Sequence, residues 1–271
     1  MKKLFSTPLT FALLLLLMGL FACTQEENTN NDRNAIPDDV LHQIEHLGFS
    51  TQNVIKEEGG YIVEGDIFLP EEMLRHNPLE EFLRFVAEEQ YRTFNLVGGL
   101  PRTLRIAMTT NLPSSYSTAL NTAISRFNNE NLRLKFQRVS QYPVNILFDR
   151  APSGATYLAS AGFPSGGNPY GTVLMNVNAL GTSPGTSYLA TIMAHEMGHC
   201  IGFRHTDYMN RSYSCGSGGN EGQATTGVGA VHIPGTPTGP DPNSWMLACI
   251  GTGVNRPFNT NDKKALSYLY K

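Results

Sequence analysis

Five residues within one short stretch set most of what this chain can become. His195, Glu196, His199, Gly202 and His205 stand in the order H-E-x-x-H-x-x-G-x-x-H. The run before them, Ser187 to Ala194, has no Pro or Gly and is mostly apolar. It therefore predicts the earlier turns of the same helix. Residues four apart share a helix face, so His195 and His199 aim their imidazoles at a common point. A tetrahedral Zn²⁺ asks this of two nitrogen ligands. Glu196 sits one residue round, within reach of a metal-bound water without being a ligand. Gly202 can take the left-handed conformation that ends a helix and reverses the chain. The reversal brings His205 to the third ligand position. Three protein ligands leave one position open to water, as in a catalytic site and unlike a closed structural one. A lone H-E-x-x-H is often a chance occurrence. Five fixed positions, at about one in twenty each, arise by chance in a chain of this length on the order of once in ten thousand.

These residues resemble the signature of the metzincin zinc endopeptidases, which also carry a Met-turn downstream. Ser244-Trp245-Met246 supplies a candidate for it. The run His195 to Asp207, with Ser244 to Cys249 after it, is similar to the bacterial dual-action HEIGH metallopeptidases. The resemblance extends from about Glu89-Gln90-Tyr91-Arg92-Thr93 to the C-terminus. It implies an α+β fold whose metzincin-like catalytic domain, residues 99–271, has a twisted, mostly parallel sheet with an antiparallel edge strand. A zinc-binding helix, a Met-turn and a C-terminal helix complete that domain, and a small N-terminal α/β segment precedes it. Met246 is implied to lie beneath the metal as an apolar floor, without binding it. Astacin-like and serralysin-like members have a tyrosine two residues after that methionine. Here Ala248 stands there, so a tyrosine ligand from that place is absent. Whether Tyr208 or another group stabilises the transition state stays open.

The N-terminus reads as a sorting device. Lys2 and Lys3 precede the apolar run Phe11 to Phe21, which is too short to span a bilayer. The segment 1–22 ends in Leu20-Phe21-Ala22-Cys23, which resembles a bacterial lipobox; ordinary secretion is the alternative. Lipidation of Cys23 would anchor the mature chain to the cell envelope, at the outer membrane, and the acidic Gln25-Glu26-Glu27 after it resembles tags that send some lipoproteins to the cell surface. The polar, Asn- and Glu-rich residues 23–36 then form a disordered tether.

Residues 37–98 read as a pro-segment or supporting subdomain, too small for a large core of its own. Pro37 to Leu47 predicts a helix ended by Gly48. Asn53 to Leu69 predicts a hairpin turning at Gly59-Gly60, and Pro78 to Arg92 a further helix. Metzincin precursors often block zinc with an upstream cysteine or aspartate. Cys23 is committed to lipid, so Asp66 is the residue to test. A turn residue at a strand bend is its plainer reading.

In the catalytic part, Thr103 to Met108, Leu132 to Phe136, Val144 to Phe148 and Thr172 to Val177 predict strands. Ser115 to Asn128 predicts a helix with Tyr116, Leu120, Ala123, Ile124 and Phe127 on one face. Ala151 to Tyr170 reads as a surface loop. By resemblance, Thr172 to Val177 is the sheet-edge strand that pairs with an extended substrate; an interior strand is the alternative. Asp207 to Asn243 is long and irregular, and the part near His232-Ile233-Pro234-Gly235 is expected to shape the substrate pocket. His232 is not needed as a ligand. Asn259 to Tyr270 predicts a last helix capped by Thr260. Cys200, Cys215 and Cys249 allow one disulfide and one free thiol, with the pair undecided.

Net charge is −3 and charged residues make up 16%, so nothing points to nucleic acid. The reading is a monomeric, envelope-anchored zinc endopeptidase acting on proteins or peptides. One Zn²⁺ is held by His195, His199 and His205, and Glu196 is the general base for a metal-activated water. A binding or adhesion lipoprotein with structural zinc, or a zinc amidase, are the alternatives.

Overall fold

The computed structural model describes residues 36–75, 90–221, 228–237 and 239–271. The signal segment, Cys23, the tether and most of the helix expected over Pro78 to Arg92 lie outside them. Among the described residues no helix is long and apolar enough to cross a membrane.

Helix α1 (Asp38–His46) follows Pro37, with Asp38 and Asp39 in its first turn and His46 in its last. Both charge placements suit the helix dipole. Strands β1 (Ile55–Glu57), β2 (Gly60–Val63) and β3 (Ile67–Pro70) form an antiparallel meander, leading into α2 (Glu71–Arg75). The expected hairpin thus has a third strand. Its second reversal is Glu64-Gly65-Asp66, where Glu64 and Gly65 both take positive φ, 54° and 89°. Ile44, Phe49, Tyr61 and Ile67 bury together with Phe163 and Val228 of the catalytic part. The N-terminal segment therefore shares its core and does not close one alone.

Tyr91–Arg92, expected at a helix end, form strand β4. The main sheet comprises β5 (Arg102–Met108), β6 (Leu134–Arg138), β7 (Ile146–Arg150), β8 (Ala159–Ser160) and β9 (Thr172–Met175). Their order is β6-β5-β7-β9-β8, parallel except for β8, which runs antiparallel to β9. Leu134 and Phe136 are buried and alternate with Lys135, as the strand period requires. Helix α3 (Ser115–Asn128) buries Tyr116, Leu120, Ala123, Ile124 and Phe127. It crosses over between the parallel pair β5 and β6.

Two expectations are corrected here. Thr172 to Val177 is not the sheet edge; β9 lies between β7 and β8, and α4 (Val177–Leu180) begins where it ends. The edge strand β8 comes from the stretch expected to be a surface loop. Asn176 explains this. Its buried side-chain amide donates to the Ala155 and Tyr157 carbonyls at 2.8 and 2.7 Å, drawing that stretch onto the sheet.

Helix α5 (Thr186–Ile201) is buried throughout from Tyr188 onward and packs against α3. After it come β10 (Phe203–Arg204), α6 (Ser212–Cys215) and β11 (Val231–His232). Strand β4 pairs antiparallel with both β10 and β11. The last helix, α7 (Thr260–Tyr270), is capped by Asn259 and not by Thr260. The Asn259 side chain accepts from the Asn261 and Asp262 amides, and Asp262 accepts from the Asn259 amide. An asparagine with an acidic residue three positions on makes this reciprocal cap, and Thr260 falls one residue inside it.

Candidate active site

Two glycines shape the local chain. Gly198 lies on α5 between the two motif histidines. A Cβ there would sit 2.6 Å from both Met246 Sδ and Trp245 Cη2, so its absence lets the turn at Ser244-Trp245-Met246 close against the helix. Met246 is fully buried in that position. Gly202 ends α5 with φ 109°, and its amide donates to the His199 carbonyl at 2.9 Å. A Cβ at Gly202 would lie 2.7 Å from the Asn95 carbonyl oxygen. The reversed chain runs through β10 to His205. The Thr206 amide then donates to the Met246 carbonyl at 2.9 Å, tying the turn to the third histidine.

The three imidazoles converge. His199 Nε2 is 3.0 Å from His195 Nε2 and 3.2 Å from His205 Nε2. The far ring nitrogens fix the tautomers. Nδ1 of His195 donates to the Trp245 carbonyl at 2.9 Å and Nδ1 of His199 to the Phe203 carbonyl at 2.8 Å. Nδ1 of His205 donates to both Glu221 oxygens at 3.1 Å. With each Nδ1 donating to these acceptors, the three Nε2 atoms face one another as the positions open to a metal. Asp66 and Glu221 hold His205 well above the usual range against its burial, so a bound cation would displace its Nε2 proton. Such an arrangement suits a shared cation, with partners behind each ligand that orient it. Burial, with His195 and His205 nearby, holds His199 well below the usual range, so it stays a neutral ligand.

Asp66 completes the cluster. Its Oδ2 lies 3.2 Å from His205 Nε2 and 3.3 Å from His195 Nε2, and among the described residues its other oxygen has no hydrogen-bond partner. Burial alone would raise its carboxyl; the histidines, His205 first, hold it well below the usual range. Asp66 does occupy a strand bend, as its plainer reading had it, and that bend points it at the histidines. One oxygen from Asp66 and one nitrogen from each of His195, His199 and His205 lie within 4.8 Å of one another. Among the described residues this set matches zinc in kind, number and burial.

Glu196 is buried beside them, and among the described residues its Oε2 has no hydrogen-bond partner. Burial, and then the charge of Asp66, push its carboxyl well above the usual range.

A second layer of charge lies behind His205. Arg204, fully buried, meets both oxygens of Glu64 at 3.0 Å and stacks over the Phe49 ring at 4.3 Å. Arg211 donates to Glu221 at 2.8 Å and to the Glu64 carbonyl. Burial raises Glu64 against the pull of Arg204, while His205 and Arg211 bring Glu221 down to about 2 against its burial. Glu221 therefore holds its charge more firmly than Glu64. Neither glutamate belongs to a local motif, and sequence reasoning missed both.

A cleft of about 240 Å³ opens at the site, lined among others by Asp66, Tyr157, His195, Glu196, Trp245 and Arg256. Neither Tyr208 nor His232 lines it. Tyr208 is buried edge-on against Tyr91, with ring centres 4.3 Å apart. The stretch near His232, expected to shape the pocket, is instead held in β11 against β4. The Leu247–Ile250 stretch takes that part. Cys215 and Cys249 form the disulfide, and Cys200 is a buried free thiol.

A family model described as dual-action HEIGH metallo-peptidase matches residues 62–270. Two solved structures of myroilysin are similar to this chain. One is 15% identical, covers 66% of this chain and 98% of its own, and has a TM-score of 0.44. The other is 13% identical, covers 65% and 86%, and has a TM-score of 0.42. No curated protein matches the chain.

Proposed function

Because the chain belongs to the dual-action HEIGH metallopeptidases, a family of zinc peptidases, we propose that it is an endopeptidase with Glu196 as general base, made as a latent precursor. The observation that carries this reading is the convergence of three histidine Nε2 atoms beside Glu196, whose Oε2 has no hydrogen-bond partner among the described residues. When bound, zinc supplies a Lewis acid for the scissile carbonyl and makes its water more acidic. His195, His199 and His205 hold it, each oriented from behind through Nδ1. Glu196 accepts the water's proton and passes it to the leaving amine. Substrate is a protein or peptide laid extended along the sheet edge at β8.

Latency rests on the N-terminal segment. Asp66 is placed to fill the coordination position that water needs. The backbone beside it follows the sheet edge: the Phe68 amide donates to the Ala161 carbonyl at 2.8 Å, and the Ala161 amide to the Asp66 carbonyl at 3.0 Å. A substrate would need the same edge. On this reading, residues 37–98 hold both the inhibitory loop and, from Gln90 on, the strand that supports β10.

The mature chain begins at a lipidated Cys23 and is attached to the envelope, in line with Leu20-Phe21-Ala22-Cys23. Replacing Cys23 by Ser should move the protein from the membrane fraction to the soluble one. The peptidase reading is tested by casein cleavage after limited proteolysis of the chain. Cleavage should disappear with a chelator and return with zinc.

A further inference from the structure

Four charged side chains line the cleft: Asp66, Glu196, Arg211 and Arg256. Asp66 faces the histidines and Glu196 is the proposed base. Arg211 is engaged by Glu221 and the Glu64 carbonyl. Arg256 differs from all three. It is half-buried, and among the described residues it has no carboxylate within ion-pair distance. Its one side-chain hydrogen bond runs from Nη1 to the Cys249 carbonyl at 2.8 Å. The acid that acts on it, Asp207, is already occupied: Oδ1 accepts from the Ala248 amide and Oδ2 from the Ser214 hydroxyl. Burial therefore lowers the pKa of Arg256, with only partial relief from Asp207.

The backbone that carries this guanidinium, and the wall it bonds, are both held in place. The Arg256 amide donates to Thr191 Oγ1 at 3.0 Å, and Thr191 stands one turn before His195 on α5. Arg126 donates to the same hydroxyl at 3.0 Å. The wall it bonds, at Cys249, is held by the disulfide to Cys215, and the Cys249 amide donates to Ser214 Oγ at 3.0 Å. Leu158, Ile192, Trp245, Leu247 and Ile250 give the cleft apolar wall, beside the neutral polar groups of Thr156, Tyr157 and Thr191. A held cation with spare donors and no carboxylate paired to it recognises an acid.

Resting on the endopeptidase reading, we infer that this cleft selects an acidic side chain, aspartate or glutamate, on the residue that contributes the scissile nitrogen, with Arg256 as the recognising group. The side of the bond follows from Glu196. It lines the same cleft and hands its proton to the leaving amine, so the side chain beside it belongs to that amine's residue.

The test uses the whole chain after activation by limited proteolysis. Matched fluorogenic peptides differ only at the residue after the cleaved bond, which is Glu, Gln, Leu or Lys. The wild type should favour Glu over Gln by about tenfold or more in kcat/KM, as an ion pair with a half-buried guanidinium warrants. Arg256→Gln, which keeps a donor for the Cys249 carbonyl, should remove that preference. Arg256→Glu should reverse it, so that Lys exceeds Glu, and misfolding cannot produce a reversal. Equal rates on Glu, Gln and Leu peptides by the wild type would overturn the inference while leaving the endopeptidase reading intact. No cleavage of any peptide by the activated, zinc-loaded chain would remove both.

Discussion

Asp66 Oδ2 lies 3.2 Å from His205 Nε2, although 139 positions separate the two residues in sequence. The bend that carries Asp66 is anchored by Glu64 on Arg204, the residue just before His205. The Asp66 bend and His205 are thus held by neighbouring residues of the same two short stretches. The loop cannot withdraw Asp66 without also disturbing the Glu64 contact.

If Asp66 blocks the open coordination position, Asp66→Ala should raise peptide hydrolysis by the unprocessed chain at least about tenfold. Zinc content should stay near one per chain, because three histidines suffice for a catalytic site. Metal analysis beside a fluorogenic assay reads both. Unchanged activity with full zinc would remove Asp66 from the latency mechanism.

The Glu64–Arg204 pair is fully buried on both sides. Glu64→Ala leaves the Arg204 cation without its partner and should cost about 3 kcal/mol in urea denaturation. Replacing both at once, Glu64→Leu with Arg204→Met, should cost less than Glu64→Ala alone. A double variant weaker than the single one would contradict the account of this pair.

Gly198→Ala puts a methyl within 2.6 Å of Met246 and Trp245. Alanine is the better helix former by about 1 kcal/mol, but overpacking costs about 1–3 kcal/mol, and Trp245 has little room to yield. The variant should melt several degrees lower and bind zinc more weakly. A thermal midpoint equal to or above the wild type would show that the turn can shift freely.

What the sequence disclosed and what it hid divide along sequence distance. His195 to His205 is one contiguous motif, so its helix, its left-handed end at Gly202 and the convergence of its three histidines are legible in the sequence alone. Helix α3 was legible to its ends, Ser115–Asn128, because its apolar face keeps strict period. Strand β8 was not. It has two residues, sits in a Gly- and Pro-rich stretch and is drawn to the sheet by Asn176, the residue just after β9. Glu221 and Glu64 reach the site from 16 and 140 positions away from their partners His205 and Arg204. No local pattern marks either one. For Asp66 the signal was partial: Glu64-Gly65-Asp66 announced a bend with a carboxylate, and only the fold supplied its destination.

Asp262 offers a pH test away from the metal. It accepts from Gln90 and Ser244, yet burial outweighs these bonds and raises its carboxyl from 3.8 to about 6. A carboxyl raised on folding binds its proton more tightly in the native state. Stability from this group is therefore full below about pH 4 and declines as pH rises through about 6. The span is on the order of 3 kcal/mol. Asp262→Asn should lose that slope, so the difference between the wild-type and variant melting curves should change across this window. A difference that stays constant from pH 4 to 7 would contradict the assignment.

Glu196 gives the most direct test of the central claim. The chain is activated by limited proteolysis, and zinc content and casein cleavage are measured for the wild type and Glu196→Ala side by side. Both should hold equal zinc, the wild type should cleave in a chelator-sensitive way, and the variant should lose at least about a thousandfold in rate. A zinc-loaded Glu196→Ala chain that cleaves casein at a rate near the wild type would contradict the claim.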